Sequence, residues 1–281
     1  MKQTFILAAL SATVVQAAPG RRSGRRSDKL KSDRAFLEYA SKYNKDIGDS
    51  DDFAMRQELY HATDAKINKQ NAKSMPGSKN ALRFAHNQFS DMTKEEFHKR
   101  MGLNPATRHT HSASLPMHRL DGTLKNIPDA VNWATTGNPQ GTKRMFDIKD
   151  QGNCGSCWAF AVTTTLEGTL AIRTEKEPVH LSEQQAVDCT LAESQGGGYN
   201  RNKFKNTAAG YKDYDCWGCE GCWQANHFEF LKDQGAMLDS DYKYKGRHLN
   251  RCDHDFDNLV GFVDAYYRIQ SSVDEIKERV A

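Results

Sequence analysis

The sequence predicts an α+β protein in two parts, a helical leader without cysteine and a cysteine-rich second part. Three observations predict it. Apolar and aromatic residues recur at helical spacing around Phe36, Tyr39 and Tyr43 and again after Cys157. All seven cysteines lie after residue 150. The stretch LVGFVDAYYRI at 259–269 reads as a strand. A chain of 281 residues suffices for one or two domains, and 38% hydrophobic with 27% charged residues is the composition of a globular chain with a core. The formal net charge of +3 is too small to point to nucleic acid or to a membrane surface as partner.

The elements follow in order. Met1-Lys2, the apolar run from Phe5 to Val15 and the small residues Ala17 and Ala18 read as a secretory signal peptide over 1–17. This places the chain in the secretory pathway, with the mature part soluble after cleavage, outside the cell or in a lysosome or vacuole. The basic run Arg21–Lys31 reads as a solvated arm. A helix is predicted from Ser32, and a second from about Asp51 to Lys73, ended by Pro76-Gly77. Residues 84–101 read as an extended piece followed by a helix, with Thr93 and Glu96 as a capping box. Residues 104–126 read as a polar linker. Aromatics, glycines and cysteines set in at Ile127-Pro128, so a leader domain over 18–103 and a second domain over 127–281 are expected.

After Cys157 the stripe Ala159, Val162, Leu166, Leu170 predicts a helix. The run Val162-Thr163-Thr164-Thr165 has poor helix propensity, so burial must hold it. Ser182-Glu183-Gln184-Gln185 is a second capping box, opening a helix to about Asp188. A helix from Trp223 to Lys232 with Gly235 as its C-cap and a final amphipathic helix in SSVDEIKERVA complete the reading.

The chemistry centres on QGNCGSCW at 151–158. Cys154 and Cys157 are read as a redox pair, as half of a metal site, or as a structural thiol beside a reactive one. Cys157 stands where a helix begins, and a helix N-terminus favours the thiolate, the nucleophilic form. Gln151 offers an amide to a developing oxyanion. The spacing Cys216-x-x-Cys219-x-x-Cys222, with His227 nearby, suits zinc or an iron–sulfur cluster, but an oxidising compartment favours disulfides. No metal and no cofactor is therefore expected. Six of the seven cysteines can pair, leaving one free.

IPDAVNW at 127–133, IKDQG at 148–152, QGNCGSCWAF at 151–160, LSEQQAVDC at 181–189, GCEGC at 218–222 and GFVD at 261–264 together resemble the papain-like cysteine proteases, the cathepsin group. The leader is similar to that family's inhibitory propeptide. Its Glu, Arg, Phe, Asn, Ile, Asn steps correspond here to Asp52, Arg56, Tyr60, Thr63, Ile67 and Asn71, and NQFSDMTKEEF at 87–97 resembles the next propeptide segment.

The resemblance implies a two-domain fold, a helical domain and a β-barrel domain, preceded by a helical propeptide that acts on the cleft in cis. It implies Cys157 as the nucleophile of an endopeptidase, Gln151 as oxyanion donor, and bridges Cys154–Cys219 and Cys189–Cys252. Cys216 and Cys222 are left over as a third pair, with Cys157 free. Gly221, Cys222, Trp223 and Gln224 fall at substrate-binding positions; the family has a second glycine where Cys222 stands, and a residue needing positive φ there would be strained. Residues 190–215 form an insertion, expected to be disordered beside the cleft. The family's histidine follows the cysteine by about 130–150 residues, with an asparagine to orient it. Both fall past Ala281, so the barrel is expected to be largely missing and the chain alone poorly folded or inactive. Peptide substrates and the chain's own propeptide are the expected partners of a monomer. The alternative is a non-catalytic binder of papain-like peptidases that uses residues 32–101.

Overall fold

The computed structural model describes residues 23–73, 82–102, 115–118, 127–196, 214–269 and 272–281, with side chains from residue 31 onward. The signal peptide, most of the linker and residues 197–213 of the insertion lie outside the described residues. Contacts divide the chain between Thr93 and Lys94 into two units.

The first unit is a helix pair, α1 (Ser23–Lys42) and α2 (Ser50–Lys73). The basic run expected as a solvated arm is helical from Ser23, continuing the turn that Phe36 and Tyr39 anchor. Asp49 caps α2 by accepting the Asp51 and Asp52 N–H groups, each at 3.1 Å. Phe36, Tyr39 and Tyr60 are buried together, with Tyr43, Ile47 and Phe53 packed around them. His86 stacks on Tyr60 at 4.2 Å. The polar ends are tied as well. Arg56 pairs with Asp52 at 3.1 Å and donates to the Asp91 carbonyl at 3.1 Å. Asn71 exchanges two hydrogen bonds of 2.8 Å with the Phe84 main chain. Propeptide-like positions 52, 56, 60 and 71 thus hold 84–91 along the helix pair.

The second unit is built on α4 (Cys157–Thr174), following α3 (Lys94–His98) and the short β1 (Met117–His118). Helix α5 (Glu183–Cys189) and α6 (Gln224–Gln234) pack on α4. Ser182 caps α5 by accepting the Gln185 N–H at 3.0 Å, and Gly235 ends α6 at φ 80°. The final helix, α7 (Val273–Val280), is capped by Ser272. Ala159, Val162 and Thr163 are buried, and the Thr163 hydroxyl donates to Glu183 at 2.8 Å, whereas Thr164 is half-buried and Thr165 exposed, so burial holds the first half of the threonine run. Leu170, the last residue of the predicted stripe, is exposed instead, lining an open apolar groove with Leu166, Val260 and Tyr267.

Sheet is sparse. β2 (Ala236–Met237) pairs antiparallel with β3 (Leu259–Gly261), and β1 pairs parallel with β4 (Arg268–Ile269). The single strand predicted over 259–269 is broken. The Val263 N–H goes to the Leu231 carbonyl at 3.3 Å, and Tyr266 stacks on Phe228 at 5.3 Å while donating to Glu229 at 2.7 Å. The middle of the segment satisfies itself on α6 rather than on a neighbouring strand. The pairing of β1 also gives the linker an ordered point.

His227 on α6 is fully buried, edge-on to Trp158 at 5.5 Å, and neither ring nitrogen has a hydrogen-bond partner among the described residues. Desolvation holds its pKa down at about 3, against an ordinary value of 6.5. The folded chain keeps this ring neutral while the unfolded chain takes up a proton below its ordinary pKa. His227 therefore removes stability as pH falls from 6.5 toward 3, with a slope approaching about 1.4 kcal/mol per pH unit. We expect His227→Leu to flatten the acid limb of the stability profile relative to the unchanged chain, read by urea unfolding at a series of pH values across that window.

Candidate active site

Cys157 is the first residue of α4, half-buried, and the free cysteine of the chain. Ser156 occupies the N-cap position but its side chain does not cap. Its hydroxyl instead meets the Tyr244 hydroxyl at 2.6 Å, and Tyr244 also donates to the Gln151 carbonyl at 2.8 Å. One half-buried phenol thus ties both ends of the loop 151–156. Its ring is fixed edge-on to Phe160 at 4.9 Å, and burial pushes its pKa up. Beneath the loop, Lys149 bridges Glu167 at 2.6 Å and Glu183 at 2.7 Å. Burial nevertheless raises the pKa of Glu167, outweighing the Lys149 ammonium and the Leu181 N–H that favour its charged form.

Three disulfides flank the site, Cys154–Cys219, Cys189–Cys252 and Cys216–Cys222. Sequence separations of 65 and 63 against 6 make their weights unequal. On a chain-entropy basis each long loop contributes about 4 kcal/mol and the short one about 2. All three cysteines of the Cys216-x-x-Cys219-x-x-Cys222 spacing are consumed by these bridges, and among the described residues no cluster remains that could hold a metal. The Cys154–Cys219 bridge is reinforced by Gly155 N–H donating to the Cys219 carbonyl at 2.8 Å. A Cβ on Gly155 would overlap that carbonyl, so only glycine permits this approach.

The residues expected at substrate-binding positions lie on the adjoining turn and at the start of α6. Gly218–Glu220 is a 3₁₀ turn, and positive φ falls on Gly218 at 55° and Gly221 at 107°. Cys222 is outside the left-handed region, so the strain considered for it does not arise. It is fully buried, and its side chain packs with Trp158 and Cys216 rather than into the cleft. Trp223 is half-buried at the start of α6, and Gln224 is exposed.

A stretch of the second unit, residues 99–102, lies across this site. The Gln151 side-chain amide donates to the Arg100 carbonyl at 2.9 Å and to the Cys154 carbonyl at 2.6 Å. Arg100 in turn donates to the Gly152 carbonyl at 2.6 Å and to the Asn153 side chain. Cys222 N–H donates to the Gly102 carbonyl at 2.9 Å. A Cβ on Gly102 would fall 2.8 Å from Cys157 Sγ and would overlap the Gly155 carbonyl. Cys157, Gln151, Gly221 and Cys222 are thus brought together around one chain segment, and Trp223 and Gln224 follow directly. No motif singled out Tyr244, 93 residues from Gln151, or Arg100 as a contact of the loop. The histidines after residue 126 are accounted for elsewhere. His180 stacks on Phe146 at 3.4 Å, His254 bonds Gln185 at 2.8 Å, His227 is buried, and His248 lies beside Gly218.

A thiol at a helix start, an amide donor beside it and a chain segment hydrogen-bonded to that donor make up the candidate site. Residues 127–281 match the family described as Papain family cysteine protease, and residues 36–97 match the Cathepsin propeptide inhibitor domain (I29). The first match takes in more than half of the chain, and the chain belongs to the papain family of cysteine proteases, with a cathepsin-type propeptide domain in the same polypeptide. It is 28% identical over 226 residues to a cathepsin L-like proteinase of Phaedon cochleariae, covering 80% of this chain and 60% of that protein. It is 28% identical over 252 residues to a cathepsin L-like proteinase of Fasciola hepatica, covering 89% and 67%. The chain therefore spans about two thirds or less of the length of these relatives. Digestive procathepsin L 3 of Tenebrio molitor larval midgut shares the fold with a TM-score of 0.67 at 26% identity, covering 89% of this chain and 70% of that one.

Tyr244→Phe should leave the ring packing intact and remove both the donor to the Gln151 carbonyl and the acceptor for the Ser156 hydroxyl. We expect a loss of about 1–2 kcal/mol in urea unfolding.

Proposed function

We propose that the chain is the zymogen of a cysteine peptidase and that Cys157 is its nucleophile. The observation that carries this is the Arg100 carbonyl on the Gln151 amide, with Gly102 against the Cys157 sulfur. A peptide carbonyl already sits on the amide that would stabilise an oxyanion, beside the thiol that would attack it. In the reaction the Cys157 thiolate adds to the scissile carbonyl carbon. The oxyanion is held by Gln151 Nε2 and the Cys157 N–H. Collapse expels the amine, which takes a proton from an imidazolium, and leaves a thioester that water hydrolyses. The histidine and its orienting asparagine are proposed to lie outside these 281 residues, together with most of the barrel domain. The longer relatives and the positions of the four histidines here support this. Peptides are the substrate class, and Gly221 and Cys222 supply main chain to bind them, with Trp223 and Gln224 beside them.

We take the domain organisation to be a signal peptide over 1–17, a propeptide over 18–103, a linker over 104–126 and a peptidase domain from 127. Secretion to the cell exterior, a lysosome or a vacuole is supported by the apolar N-terminal run and by the three disulfides. No helix among the described residues is long and apolar enough to cross a membrane. A free thiol at the head of α4 with a carbonyl on its neighbouring amide favours this reading over a non-catalytic binder.

Two measurements test it. Cys157→Ser should abolish peptide hydrolysis in the complete, processed enzyme, and residual turnover would contradict the nucleophile assignment. Gly102→Ala forces an overlap costing about 1–3 kcal/mol, so alkylation of Cys157 by iodoacetamide should run about tenfold faster than in the unchanged chain.

A further inference from the structure

The turn that carries Gly221 and Cys222 is a closed ring. Cys216 and Cys222 are both fully buried and bridged, and inside the ring Trp217 N–H donates to the Gly221 carbonyl at 3.0 Å. The Cys216 end is fixed from outside. Its N–H donates to the Thr190 carbonyl at 3.3 Å, and its carbonyl accepts the Ala192 N–H at 2.7 Å, both just past the end of α5. The ring also holds the head of α4 at two points. Its Gly218 carbonyl accepts Trp158 Nε1 at 3.2 Å, and its Cys219 carbonyl accepts Gly155 N–H at 2.8 Å. Its last N–H, that of Cys222, donates to the Gly102 carbonyl at 2.9 Å.

We propose that the Cys216–Cys222 bridge is a positioning device for the cleft. It ties the Cys222 main chain to the post-α5 segment and so aims one N–H at whatever chain lies over Cys157, the segment 99–102 in this zymogen and a substrate main chain after its release. The side chain of Cys222 is taken into the core with Trp158, which leaves only its main chain for the cleft. A ring closing 6 residues constrains little chain elsewhere, so its effect is local. The inference rests on the reading that 99–102 covers Cys157.

The test compares three full chains in which Cys157 is the free thiol: the unchanged protein, Cys216→Ala with Cys222→Ala, and Cys189→Ala with Cys252→Ala. The rate of Cys157 carboxamidomethylation by iodoacetamide is followed by intact mass, beside thermal unfolding. The expected result is alkylation about tenfold faster without the Cys216–Cys222 bridge, the factor for releasing roughly one main-chain hydrogen bond. Without the Cys189–Cys252 bridge the rate should stay within about twofold of the unchanged chain, although the longer loop costs more thermal stability. A merely structural bridge would give the opposite ranking. Should the alanine pair fail to fold, Cys216→Val with Cys222→Ala refills the buried volume and takes its place. Equal slow rates in all three chains overturn the positioning role. A native rate in the unchanged chain as fast as in urea overturns the covered-thiol reading itself, and this inference with it.

Discussion

The joint between Gly155 and Cys219 is the constraint on which the site depends. A 2.8 Å main-chain hydrogen bond and the adjacent Cys154–Cys219 disulfide fasten the loop before α4 to the turn before α6, segments separated by 65 residues. Neither could be replaced by side-chain packing, because the approach tolerates no Cβ on Gly155. Once this joint is made, Trp158 is driven under the Gly218 turn, where its indole N–H finds a carbonyl and its ring closes the core of the unit. Everything that touches Cys157 is referenced to this joint. Gln151 and Ser156 are strung between it and Tyr244, and the Gly221–Cys222 main chain leaves from its other side.

Covering the thiol uses main chain rather than side-chain bulk. Gln151 donates to one carbonyl of the segment and Cys222 N–H to another, two residues on, while Gly102 passes the sulfur without a side chain. Gln151 Nε2 and the Cys222 N–H are thus both satisfied by carbonyls of the chain itself, those of Arg100 and Gly102. Arg100 adds a side-chain anchor on Gly152 and Asn153, which fixes the register of the segment against the loop.

Local rules made much of this legible beforehand. Helix starts at Cys157 and Ser182, the stop at Gly235 and the aromatic face of Phe36, Tyr39 and Tyr43 all follow from spacing and caps, which act within a turn or two. The motif at 151–158 pointed to the thiol and its amide because both lie in one short stretch. Non-local choices were not readable. Whether 262–267 pairs as strand or settles on α6 depends on Leu231, Phe228 and Glu229, which no pattern within the segment encodes. Leu170 keeps the period of the stripe, yet nothing among the described residues comes to cover it. Tyr244 and Arg100 reach the loop from distant positions, and their residue types are ordinary for a surface.

The most direct test of the account is native-state hydrogen exchange at the Cys222 amide, whose acceptor is the Gly102 carbonyl. The account predicts protection comparable to the buried amides of α4, such as Val162, in the intact chain. Exchange at the rate of an exposed loop amide, with α4 still protected, would contradict the claim that residues 99–102 lie hydrogen-bonded over Cys157.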